Sequence, residues 1–282
     1  MRHTAPLLLT AALALTGPVA AQECHPADDS NEAEVFAIYS VPLAFSQAGT
    51  TGRLASGAVR VGLEVSAIPH IDDDISTPLT CRPGKGPENT NLLPVLPRPR
   101  VSIGLPEDFT LEASWVPPIR INGVKANLFG VALSRGFALG EAYTMLLRGH
   151  ATFGTIHAPV TCDEDALEDP ASECFGGELS DDAYNPNIFG AEVSVARSGS
   201  PRFQPYLGAG YNVLHPRFQV NFTNSAGDRD TTRVSVNLDR AVVFGGLTWF
   251  PSPRTGVSAE FYVSPKDAIT ARLTFRQAVT GL

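Results

Sequence analysis

The sequence predicts an all-β fold: a single up-and-down antiparallel transmembrane β-barrel of about ten strands, within a range of eight to twelve. An N-terminal segment is placed to enter its lumen as a plug. Three observations carry this prediction. The chain opens like an exported protein, alternating apolar and polar residues recur along it, and tight turns alternate with generally longer connections. Long helical periodicity is missing.

Met1–Pro6 is short and basic, residues 7–17 (LLLTAALALTG) are apolar, and Val19-Ala20-Ala21 supplies small residues for cleavage between Ala21 and Gln22. This is the layout of a secretory signal peptide. The apolar run is too short to span a bilayer, and nothing after residue 21 approaches the ~20 apolar residues of a membrane helix. Gln22-Glu23 before Cys24 does not fit a lipoprotein site. The organisation read from the chain is therefore residues 1–21 as signal peptide, 22–56 as an N-terminal segment, 57–276 as the barrel and 277–282 as a tail.

The strands follow in order. In VRVGLEVSA, Val59, Val61, Leu63, Val65 and Ala67 alternate with Arg60, Gly62, Glu64 and Ser66, the period-two pattern of a strand with two unlike faces. Val101, Ile103 and Leu105 continue it, with Arg100 in phase with the polar face; then come Phe109–Trp115, Met145–Phe153, Phe189–Ala196, Leu207–Val213, Val257–Val263 and Ile269–Phe275. Two segments are less regular. Residues 121–135 switch phase near Gly123-Val124, and the run from Thr231 to Phe250 switches near Asp239-Arg240, where a bulge is expected. The strand lengths are near the ~9–11 residues of a tilted membrane strand.

Tight turns are expected at 104–108, 135–141, 197–202 and 251–256. The other connections (69–97, 116–121, 156–187, 221–230 and 264–268) are generally longer. Short turns on one side and longer loops on the other mark an up-and-down outer-membrane barrel. A secreted soluble β-sandwich is the architectural alternative, with the valines of β-strand 59–67 turned inward and Arg60 and Glu64 in water.

Pro205–Val213 (PYLGAGYNV) resembles the glycine- and aromatic-rich strand of bacterial outer-membrane β-barrels of the small opacity and surface-antigen type. Ile269–Phe275 is similar to the closing strand of that class, although Arg276–Leu282 follow Phe275. The resemblance implies the outer membrane as location, and membrane lipid and the barrel-assembly machinery as partners. It names a type of fold and no single function.

With apolar faces toward lipid, the opposite faces give the candidate lumen residues: Arg60, Arg100, Arg148 and Arg272 against Glu64, Glu112, Glu192 and Glu260, with His150 beside them. Four cations facing four anions predict a salt-bridged interior, because unpaired charge in a confined space is costly. Ten strands enclose a narrow barrel, and open aqueous channels belong to ~16–18 strands. The glycines on the same faces (Gly62, Gly104, Gly190, Gly208 and Gly210) leave room for a plug or relieve crowding. Glu34–Phe45 (EVFAIYSVPLAF) is too apolar for a free tail, and Ser46–Gly57 reads as a flexible link. A short periplasmic helix or edge strand is the alternative for residues 35–46.

Four cysteines in an exported chain most simply form two disulfides, with three pairings open. Cys162 and Cys174 bracket one acidic segment and are expected to pair locally, leaving Cys24 with Cys81. That second bond would carry residue 24 to the outer side, so the chain would then descend through residues 35–46.

His150 is the one lumen residue suited to catalysis, but no serine nucleophile lies one strand-step away, as a triad needs. An outer-membrane hydrolase is therefore the weaker functional alternative. The acidic segments Asp72–Asp74 and Asp163–Glu178 miss the EF-hand register, and no Cys/His spacing suggests zinc. Neither metal nor cofactor is predicted. With 21 Lys and Arg against 29 Asp and Glu, a net charge of −8, nucleic acid is not an expected partner. Trp115, Phe153, Trp249, Phe250 and Phe109 sit near strand ends, as an interfacial aromatic girdle requires. The functional expectation is a non-enzymatic barrel with a structural or interaction role, or one that binds or passes a small, hydrophobic ligand.

Overall fold

The computed structural model describes residues 22–50, 53–197 and 202–280. The expected signal peptide, the turn residues 198–201 and the last two residues lie outside the described residues. Ten strands form the barrel: β1 Val59–Ala67, β2 Val95–Gly104, β3 Phe109–Val116, β4 Val124–Leu139, β5 Tyr143–Ala158, β6 Ile188–Arg197, β7 Phe203–Leu214, β8 Leu238–Ser252, β9 Thr255–Ser264 and β10 Ala268–Thr280. Each pairs antiparallel with the next in sequence. β10 returns to β1, with Thr274 opposite Glu64 and Phe275 opposite Leu63. Closure removes the open edges that a sheet would otherwise have to protect.

The faces sort as membrane strands do. On β1, Leu63 is 46 % exposed while Glu64 is fully buried. Val131, Leu207, Val243, Phe261 and Leu273 extend the same outward apolar surface around the barrel. Apolar side chains outside and charges sealed inside are the reverse of a soluble core, so the sandwich alternative fails. Outward aromatics fall in register near both ends of the strands. Trp115, Phe129 and Phe153 lie opposite one another on β3, β4 and β5 and stack at 6.2 and 5.9 Å. At the other end Trp249 faces Phe203, and Phe109 and Phe250 are half-buried. Rings with one apolar and one polar preference suit a membrane–water interface.

Several boundaries differ from the sequence expectation. β2 begins at Val95, inside the expected loop. Its ladder with β3 covers only Arg100–Gly104, so Pro97 and Pro99, which donate no backbone hydrogen bond, interrupt nothing there. β4 runs on to Leu139, because the alternation continues through Phe137 and the chain reverses at Gly140, whose φ of +66° favours glycine. β8 is regular at Asp239 and Arg240, which pair with Val213 and Asn212; its irregularity lies between Trp249 and Ser252. The early part of the 231–250 run is a separate short strand, Arg233–Ser235, whose Val234 is buried above the lumen. Its apolar phase reports that second layer. The expected tail from residue 277 is still strand as far as Thr280.

Beyond the outer rim of β5 the sheet continues as short strands. Asp182–Asn185 pairs with β5, Arg217–Gln219 with Asp182–Asn185, and Arg233–Ser235 with Arg217–Gln219. Glu23–Cys24 joins the far edge in parallel. The disulfides are Cys24–Cys81 and Cys162–Cys174. The first ties the start of the chain to the β1–β2 loop, and the second pins the β5–β6 loop.

From that edge the chain enters helix α1, Asn31–Leu43. Ser30 caps it by accepting from the Ala33 N–H, and Glu32 and Glu34 sit in the first turn, where carboxylates suit the helix dipole. Phe36, Ala37, Ile38 and Val41 are all buried, as expected of a helix that is apolar all round. The helix ends at Ala44, and the chain runs on in extended form. Ser46–Gly57 was expected to be a flexible link, but Ser46, Gln47, Ala48 and Thr50 are buried inside the barrel. Residues 31–50 therefore occupy the lumen as a helix followed by a strap.

Candidate functional site

The lumen is built by register. Glu64 lies opposite Arg98, Arg148 opposite Glu192, and Glu260 opposite Arg272. These pairs stand at 3.6, 3.5 and 3.6 Å. Glu112 joins two strands by accepting from Arg148 at 2.9 Å and Arg100 at 3.3 Å, and Arg100 also bonds Glu64. Every expected lumen residue faces inward, and all but the half-buried Arg60 are buried.

Sequence reasoning missed two lumen arginines. Arg98 stood just past the expected 69–97 loop and Arg276 beside the expected tail, yet both are in phase with their strands and buried. Six arginines (60, 98, 100, 148, 272 and 276) thus share the interior with four glutamates. The balanced set expected from sequence becomes an excess of cations.

The last turn of α1 and the strap that follows it answer that excess. Arg272 donates to the Val41 carbonyl, Arg98 to those of Leu43 and Ala44, Arg148 to Phe45, Arg100 to Ser46, and Arg276 to Gln47 and Ala48. Carbonyls of a segment without helix or sheet partners must find donors when buried. Guanidinium groups supply several donors in a fixed fork. Phe45 lies among Arg98, Arg100 and Arg148, whose guanidiniums stand 5.7, 4.2 and 5.0 Å from its ring centre. Two glycines make room. A Cβ on Gly130 would fall 2.8 Å from the Phe45 ring, and one on Gly104 would fall 2.1 Å from the Ala55 carbonyl oxygen. Gly190 and Gly208 instead admit His150 and Phe244.

His150 is fully enclosed, with Nε2 3.5 Å from Glu192 and no hydrogen bond to either ring nitrogen among the described residues. Among the described residues no serine or cysteine hydrogen-bonds it, as a nucleophile–base pair would require. His157, in the outer part of β5, stands 3.3 Å from Asp181. Among the described residues no group of carboxylates, histidines or cysteines is arranged to hold a metal. Asp163 instead caps the short helix Glu164–Glu168.

Above the strap, α1 and the outer loops enclose a cavity of about 130 Å³. Val35, Phe36, Tyr39 and Leu43 form the helix wall; Leu96, Val124, Ala126 and Ile156 form the barrel wall; Ile75, Leu92 and Leu93 come from the β1–β2 loop. The polar rim is concentrated around Arg82, which is buried and reaches three loops. It bonds Glu88 at 2.7 Å, approaches Asp230 at 3.4 Å and pairs with Glu173, which also holds Lys85. Burial pushes the Glu88 carboxyl up to about 7, opposed by Arg82 and assisted by Asp182 and Glu32. Glu32 accepts from the Thr80 and Cys81 backbone N–H groups at 2.8 and 2.9 Å, fastening α1 to the loop beside the disulfide. Four buried polar atoms of the lining lack a hydrogen bond among the described residues: Glu32 Oε2, Arg82 Nε, which stands 3.4 Å from Asp230, and the hydroxyls of Thr90 and Tyr184. Tyr184 is the phenol among them. Desolvation raises its pKa further above its ordinary value, so it stays neutral.

A closed antiparallel barrel with apolar exterior, aromatic ends and charged interior decides the type of fold. The chain is an outer-membrane-type β-barrel. No protein-family model matches it, and no curated protein sequence does. Solved structures with a similar fold include Ail, the attachment invasion locus protein of Yersinia pestis. It is 10 % identical with a TM-score of 0.29, and the match covers 79 % of this chain and 97 % of that one. The toluene transporter TodX of Pseudomonas putida is 10 % identical with a TM-score of 0.34, covering 86 % of this chain and 75 % of that one. The N-terminal barrel domain of OprF from Pseudomonas aeruginosa is 10 % identical with a TM-score of 0.28, covering 79 % and 98 %. At this distance the likeness is to a kind of barrel only.

Proposed function

We propose that this barrel resides in the outer membrane and binds a small hydrophobic ligand in its outer cavity, with residues 31–50 closing the lumen beneath. The observation that carries this is the cavity: about 130 Å³, walled by α1 and apolar barrel residues, with the unpartnered hydroxyls of Tyr184 and Thr90 in its lining. An engineered apolar cavity of about 150 Å³ stays dry and binds benzene, so the volume suits a ligand of one small ring. The Tyr184 and Thr90 hydroxyls favour a ligand that carries a hydrogen-bonding atom, since a buried hydroxyl gains from pairing. The clamped strap argues against free diffusion of water-soluble solutes, and passage would require it to move. The site is one of binding and not of catalysis, and lipid meets the outward apolar surface.

The test is 19F NMR of the detergent-solubilised protein with fluorobenzene and 4-fluorophenol. A distinct bound resonance is expected, stronger for the phenol, and lost when Ala126→Trp fills the cavity. Retained heat-modifiable gel mobility shows that the variant barrel is folded. No bound resonance, or one that Ala126→Trp leaves unchanged, overturns the proposal. Unchanged lipase and protease assays after His150→Ala are expected on the same reading.

A further inference from the structure

A second cavity, of about 190 Å³, opens at the other end of the lumen, where the tight turns lie. Four arginines line it: Arg53, Arg60, Arg254 and Arg276. No carboxylate is among its described lining residues. Arg53 has a partner outside, Asp108 at 3.3 Å, with both side chains about half exposed. The other three are differently placed. The side chain of Arg60, on the lumen face of β1, makes no hydrogen bond or ion pair among the described residues, while its backbone lies in the ladder between Ser102 and Ala278. Arg254 sits in the β8–β9 turn with its guanidinium likewise unpaired. Arg276 is only 5 % exposed; its Nη2 donates to the strap carbonyls of Gln47 and Ala48, while its buried Nη1 has no partner.

A buried guanidinium N–H without an acceptor is costly. Here one stands beside two further arginines with unpaired guanidiniums and no carboxylate among the described lining residues, Glu112 acting on Arg60 and Arg276 from outside that lining. Arginine forks match the oxygens of phosphate and carboxylate groups in pairs. We propose that this vestibule binds an oxyanion, a phosphate group foremost, between Arg60, Arg254 and the free edge of Arg276. The short turns place it on the periplasmic side, away from the apolar cavity and independent of that cavity's ligand.

The phosphate has two sources, a free ion or the headgroup of a phospholipid, and two arms separate them. In the first, inorganic phosphate is titrated calorimetrically into the full chain in a zwitterionic detergent at low salt. In the second, the protein is transferred to nanodiscs of phosphatidylglycerol or phosphatidylcholine and retained lipid is read by native mass spectrometry. Saturable phosphate binding weakened at least tenfold by Arg60→Gln with Arg254→Gln supports a free oxyanion. Selective retention of one phosphatidylglycerol, lost in the same double variant, supports a headgroup. Arg53→Gln, whose partner lies outside, is expected to change either readout less. Arg254→Gln alone, in an exposed turn, serves if the double variant does not fold. Absence of both signals, or signals the arginine variants leave unchanged, overturns the proposal.

Discussion

The two halves of the lumen filling are held by different physics. The upper half is a helix packed by apolar contact: Phe36 stacks on Tyr184 at 5.5 Å and lies against Phe218 at 6.3 Å, and a disulfide ties the preceding chain to the cap. The lower half has no regular structure, and arginines bonded to its carbonyls hold it in place. The contrast follows from what each segment can satisfy alone. A helix pairs most of its own backbone and needs only apolar neighbours, whereas an extended strap presents bare carbonyls and needs donors. The same contrast sorts the cavities, one apolar under the helix and one cationic beyond the strap.

The largest loss should come from the lower half. Glu112→Ala leaves Arg100 and Arg148 without their shared buried carboxylate. Removing one member of a buried ion pair costs about 3–5 kcal/mol, which a lowered urea midpoint of the refolded protein would register. If the midpoint moves no more than for a surface substitution, the charge network does not hold the barrel.

In the upper half, replacing Cys24 and Cys81 by Ser removes a bond that closes a 57-residue separation. The loss should be about 2–4 kcal/mol. Planar-bilayer recordings should then show brief openings absent from the oxidised protein, and silent traces under reductant would mean that the disulfide does not restrain the filling.

Phe45→Leu addresses the junction between the halves. It removes the ring against which three guanidiniums stand and leaves a small void, with a combined cost of about 1–3 kcal/mol. Arg100 contacts should suffer most, since Arg100 is nearest the ring.

The smallest effect is expected at Glu88. Its carboxyl titrates near 7, above its ordinary 4.5, in a setting shared with Arg82, Asp182 and Glu32. A raised carboxyl favours the folded state while protonated, so its contribution is full below about pH 4.5 and is lost as pH rises through about 7. Proteolysis of the outer loops should therefore quicken across that window, and Glu88→Gln should flatten the profile. A profile that keeps its slope in the variant would assign the titration to another group.

Much of this was legible in the residues. Strict alternation in Val59–Ala67 marks a two-faced strand, and the spacing of turns and loops selects a barrel, after which the inward faces of Arg100, Glu112, Arg148 and Arg272 follow. Arg98 was hidden because two prolines make its strand look like loop, a judgement only the extent of the neighbouring ladder overrules. Arg276 was hidden because a strand's end is set by its partners. Arg82 carries no periodic signal at all, since three loops far apart in sequence create its site.

The sequence by itself determined the strands, their faces, the cysteine count and the apolar character of residues 34–45. Those depend on local pattern, which every residue carries with it. Only the tertiary structure decided that arginines would outnumber glutamates inside and that the strap's carbonyls would meet them. The cavities above and below were decided there too. These are contacts between residues up to 229 positions apart, brought together when the last strand closes on the first.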